Sequence, residues 1–84
     1  MTREQAIKAA LEIQRVHFPE IGEQRNEKGN TPAHLAWMIE QMVKGMSENK
    51  TMRWLGYIQG MMVGCFGASL EEMKEVSRAA SETP

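Results

Sequence analysis

Aspartate is missing from the 84 residues altogether, and cysteine occurs once, as Cys65. With no second cysteine a disulfide cannot close within the chain, so a reducing cytoplasm is the expected location and Cys65 is read as a buried thiol. His17 and His34 are the only histidines, and neither stands with Cys65 at the close spacing of a zinc motif, so no metal site is expected. A Cys–His nucleophile pair would have no third residue to orient it, and no glycine-rich loop joins a strand to a helix. The expectation is therefore no enzyme, no catalytic residue and no cofactor. An excess of one charge is lacking too. Ten basic residues face eleven acidic ones, all glutamate, which disfavours nucleic acid as a partner. Long apolar runs are absent: the best candidate, Trp54 to Ala68, falls short of the ~20 residues needed to span a bilayer and contains Gln59. The opening Met1-Thr2-Arg3-Glu4-Gln5 is not leader-like, and no membrane association is expected.

What the chain does have is helical periodicity. A hydrophobic content of 42% suffices for one small domain over residues 1–84. No strand-like alternation interrupts the 3.6-residue repeat, so the fold class is all-α: a compact bundle of four short helices with helix 3 central. Thr2 and Gln5 match a capping box, which starts helix 1 at about residue 3 and carries it to 17. Ala6, Ala9, Ala10, Ile13 and His17 share its inner side. Residues 18–30 lack apolar period and read as a loop, with Phe18 and Ile21 as pins to the core. Thr31-Pro32 opens helix 2, residues 32–47, with Leu35, Met38, Ile39, Met42 and Met46 inward. Glu4 with Lys8 and Glu40 with Lys44 are expected i,i+4 pairs on the outer faces.

Helix 3, residues 50–66, turns Leu55, Ile58, Met62 and Phe66 to one side and Gly56, Gly60 and Gly64 to the other. Each glycine costs about 1 kcal/mol against alanine in a helix interior, so the segment forgoes roughly 3 kcal/mol of intrinsic preference. Close packing is the expected compensation. Ala6 and Ala10 repeat at the same four-residue interval, which makes Gly56, Gly60, Gly64, Ala6 and Ala10 a helix-packing or dimer face: helix 1 or helix 4 lies on the glycines, or a second copy does across a two-fold axis. Gly67 is placed to end helix 3. Ser69 and Glu72 form a second capping box for helix 4, residues 70–80, with Leu70, Met73, Val76 and Ala80 inward and fraying from Ser81.

Trp37 falls on the polar side of helix 2 with His34 and Gln41, where a large aromatic either anchors a partner or is roofed by the loop 18–30. Arg53 and Tyr57 border the glycine face. These five residues, Trp37, Arg53, Tyr57, His34 and Gln41, are the candidate partner-binding set. The many methionines read chiefly as core filler, with an adaptable groove for a partner helix as the alternative. Helix 3, Gly67-Ala68-Ser69 and helix 4 have the spacing of a helix-turn-helix, but Glu71, Glu72 and Glu75 would repel DNA where a recognition helix meets it.

His34-Leu35-Ala36-Trp37-Met38, Arg53-Trp54-Leu55-Gly56-Tyr57-Ile58-Gln59-Gly60 and Ser69-Leu70-Glu71-Glu72-Met73-Lys74 together resemble small uncharacterised all-helical proteins encoded by tailed phages and prophages. The resemblance covers residues 31–80, rests chiefly on the Arg-Trp-Leu-Gly-Tyr block and implies no enzymatic activity. It implies an accessory protein that binds a host or phage protein stoichiometrically in the bacterial cytoplasm. The residues themselves favour such an interaction protein acting as a homodimer. Two other readings stand beside it: a nucleic-acid-binding regulator using the helix 3 to helix 4 unit, and a protein sequestering an anionic small molecule between Arg53, Tyr57 and His34.

Overall fold

The computed structural model describes residues 1–82 and contains α1 (Arg3–His17), α2 (Pro32–Lys44), α3 (Glu48–Cys65) and α4 (Leu70–Ser81), with no strand among the described residues. Local chemistry sets most of the boundaries. The Thr2 hydroxyl accepts from the Gln5 N–H while the Gln5 side chain accepts from the Thr2 N–H, so the expected capping box is complete. Thr31 caps α2 through the His34 N–H, and Pro32 sits where its missing donor costs nothing. α2 stops at Lys44, short of residue 47, because Gly45 turns to φ 127°. Ser47 then caps α3, which begins at Glu48 rather than 50.

α1 and α3 each pack against all three other helices, and α1 shares its most extensive contacts with α4 and α3. The centre therefore lies between α1 and α3 and is not α3 alone. Ala6, Ala9, Ala10 and Ile13 are wholly buried on α1, where short side chains allow neighbouring helices to approach closely. From α2 come Leu35, Met38, Ile39 and Met42; from α3, Leu55, Ile58 and Met62; from α4, Met73 and Ala80. The buried methionines act as core filler. Thr51, the one buried polar side chain among the described residues, satisfies its hydroxyl on the Ser47 carbonyl at 2.8 Å.

The glycine stripe is not covered by α1 or α4. A Cβ built at Gly56, Gly60 or Gly64 meets no atom within 4 Å, and all three residues are exposed. Ala6 and Ala10 are buried against other surfaces. The compensation comes from the opposite side of α3: burying Leu55, Ile58 and Met62 at about 1.5–3 kcal/mol each outweighs the roughly 3 kcal/mol forgone at the glycines.

Further departures trace to long-range contacts. Leu70 is 57% exposed instead of inward, because Ser69 and the first turn of α4 stand at the rim. The Ser69 hydroxyl accepts from the Glu72 N–H, but the Glu72 carboxylate leaves the capping box and reaches His17 Nε2 at 2.7 Å, tying α4 to the end of α1. Cys65 is exposed, not buried. Glu4 pairs with Arg3 and not Lys8, and Glu40 and Lys44 form no ion pair, as the small worth of exposed pairs allows. Ser81 is held by Gln5 and by its own hydroxyl on the Ser77 carbonyl. The rest of the expected fraying falls on Thr83 and Pro84, outside the described residues.

Candidate aromatic and basic surface on α2 and α3

Trp37 stands on the polar side of α2 and is half-buried there. The Trp37 and Trp54 rings, one from α2 and one from α3, lie with centroids 5.9 Å apart at 34°. His34 lies one turn before Trp37 and stacks on it at 5.3 Å. With Met38, Arg53 and Tyr57 these residues line a shallow depression of about 390 Å³. Trp37, Trp54 and Tyr57 flank the core stripes of α2 and α3 and are half-buried, packed against the core with part of each side chain left to solvent.

Cations from the loop and from the first turn of α3 stand against the rings. Arg25 places its guanidinium 5.7 Å from the Trp37 ring centroid, and Lys50 places its ammonium 5.3 Å from that of Trp54. The Asn26 N–H donates to His34 Nδ1 at 3.0 Å, and the Tyr57 hydroxyl donates to the Gly29 carbonyl. Gly29 is buried at φ +67°, and an added Cβ would stand 3.1 Å from the Tyr57 hydroxyl oxygen, so both conformation and space call for glycine. Accepting at Nδ1 leaves the ring proton on Nε2. Burial, and after it the nearby Arg25 guanidinium, holds the His34 imidazole below its usual pKa range.

Of the five residues singled out from sequence, His34, Trp37, Arg53 and Tyr57 therefore converge on one surface, while Gln41 lies a turn along α2, outside the lining. Of the sequence alternatives for Trp37, roofing by the loop holds in part: Arg25 stands over the ring, and Trp37 stays half-exposed beside the depression. Trp54 and Arg25 were not anticipated as site residues. Trp54 could have been found from its position three residues before Tyr57 and four after Lys50, which puts all three on neighbouring rows of α3. Nothing local marks Arg25.

A second concavity, of about 530 Å³, lies between α3 and α4, with Gly60, Gly64, Val63 and Leu70 among its walls. Val63 is 38% exposed, so the glycine stripe runs beside an accessible apolar rim. Among the described residues no cluster of three or more histidine, cysteine or acidic side chains could hold a metal ion, and no helix is long and apolar enough to cross a membrane. No protein-family model matches the sequence, and comparison with curated proteins and with solved structures returns no similar chain.

Proposed function

We propose that this chain is a small phage- or prophage-type accessory protein that works by stoichiometric binding to a host or phage protein in the bacterial cytoplasm. Its contact surface is the α2–α3 aromatic face, and the open glycine stripe of α3 is the seam of a homodimer. The observation that carries the reading is the convergence of Trp37, Trp54, Tyr57 and Arg53 around one solvent-facing depression. Tryptophan, tyrosine and arginine are the residue types that dominate binding energy at protein interfaces. Half-buried rings held by the core and by the loop also lose little freedom when a partner arrives.

The helix-turn-helix alternative fares worse. Lys74 pairs with Glu71, and Arg78 pairs with Glu75 and Glu82, so the cations of α4 are already neutralised by their own helix.

Site-specific photocross-linking tests the proposal. Benzoylphenylalanine in place of Gln41, beside the depression, is expected to trap a protein of discrete mass in the bacterium that carries the gene. The same group in place of Leu11, exposed on α1, traps none. Trp37→Ala and Arg53→Glu, each checked for helicity by circular dichroism, should abolish the adduct. Equal adducts from both positions, or none from position 41, overturn the reading.

A further inference from the structure

Of the ten lysines and arginines, four have a carboxylate partner among the described residues and six, Lys8, Arg25, Lys28, Lys44, Lys50 and Arg53, have none. Arg3, Arg15, Lys74 and Arg78 each lie against a glutamate, and the one histidine pair joins His17 to Glu72, so every ion pair among the described residues involves α1 or α4. Arg25, Lys50 and Arg53 have no carboxylate partner, although Glu23, Glu27, Glu40 and Glu48 lie on the same segments. All three are exposed and ring the Trp37–Trp54 pair: Arg25 over one indole, Lys50 over the other, Arg53 in the wall of the depression. Arg53 makes no hydrogen bond or ion pair within the described residues. Three of the six unpaired cations of a chain with a net charge of −1 thus gather at its aromatic surface.

We infer that the partner segment received by this face is acidic, an apolar protein segment bearing carboxylates that meet Arg25, Lys50 and Arg53 while its apolar side chain enters the depression that the two tryptophans help to line. Opposed potentials steer encounter and fix register, and an arginine free of internal partners can engage a carboxylate through two parallel bonds. A single-stranded nucleic acid fits less well. Stacking of bases needs open indole faces, and Arg25 and Lys50 stand over one face of each ring. The inference rests on the interaction reading above and specifies the chemistry of the partner.

Selection of random short peptides from a display library, against the wild type and in parallel against Arg53→Glu and Trp37→Ala, separates the two. Sequences enriched on the wild type are expected to combine glutamate or aspartate with a large apolar residue. They should bind about tenfold more weakly to Arg53→Glu and lose affinity as salt is raised from about 0.05 to about 0.5 M, while Lys8→Glu on α1 leaves them unaffected. Enrichment that depends on Trp37 but shows no acidic excess overturns the acidic partner and leaves the interaction face standing. Enrichment indifferent to Trp37 and Arg53 overturns both. Tighter retention of an oligothymidylate than of the selected peptides overturns the choice of a protein partner.

Discussion

Replacing Gly60 by alanine separates what α3 needs from what its exposed stripe offers. Gly60 lies inside the eighteen-residue helix Glu48–Cys65, and a Cβ there meets nothing within 4 Å. No steric cost opposes the gain in helix preference, about 0.8–1.0 kcal/mol for glycine to alanine in a helix interior. Gly56 is equally unobstructed, so Gly56→Ala with Gly60→Ala should add up to about 2 kcal/mol, since each substitution raises helix preference and neither added Cβ meets an atom within 4 Å. For a domain of this size about 1 kcal/mol moves the melting temperature by roughly 4–8 °C, which places the double variant up to about 10 °C higher. Thermal and urea unfolding, followed by circular dichroism at about 1 µM so that the monomer prevails, reads this directly. Light scattering at high concentration reads the other half: a seam between two copies predicts a dimer mass for the wild type and a monomer mass for Gly60→Leu with helicity unchanged. A double alanine variant less stable than the wild type at the lowest concentration would refute the claim that the stripe is open within one chain. A wild type of monomer mass would refute the homodimer.

Two other outcomes follow from contacts that span the chain. Arg3 donates to the carbonyls of Met42 and Met46, at 3.3 and 3.1 Å, and so caps the C-terminal end of α2 with a positive charge from α1; Arg3→Met should lower stability by about 1–2 kcal/mol in urea unfolding, and an unchanged midpoint would show the contact to be idle. His34 must stay neutral to accept from Asn26, and its folded-state pKa is depressed by burial and by Arg25, so its contribution is fully present above the unfolded value of about 6.5 and is lost as pH falls through that value toward the lower folded pKa. Amide exchange at Asn26, corrected for the intrinsic pH dependence, should lose protection over that interval in the wild type; protection that stays flat down to pH ~5 would remove His34 from the account.

How much of this was legible in the sequence depended on the reach of the interaction. Thr2-Gln5, Thr31-Pro32 and the α1 alanine stripe act within a turn or two, and the four helices followed from them and from the 3.6-residue period. His34, Trp37, Arg53 and Tyr57 could be nominated because a polar face carrying aromatics is visible on a helical wheel. Their convergence could not, since it depends on how α2 sits against α3. Trp54, Arg25 and the Glu72 carboxylate illustrate the same limit: each makes its contact with another element, and Glu72 abandons the local cap because His17 happens to lie opposite. Of the two readings of the glycine stripe, cover by α1 or α4 fails for an energetic reason. A helix that forgoes intrinsic preference must be supported somewhere, but the sum does not say on which side, and the apolar side of α3 supplies enough by itself.

Tyr57 and His34 serve two masters. Each shows part of its ring to the outside, and each also fastens the long connector between the first two helices, at Gly29 and at Asn26. A substitution at either ring therefore alters the exposed aromatic surface and the fastening of the connector together. The fastening also makes the surface rigid by default: a visitor finds the rings already clasped from behind, and engaging them requires no disordered strap to be gathered in first.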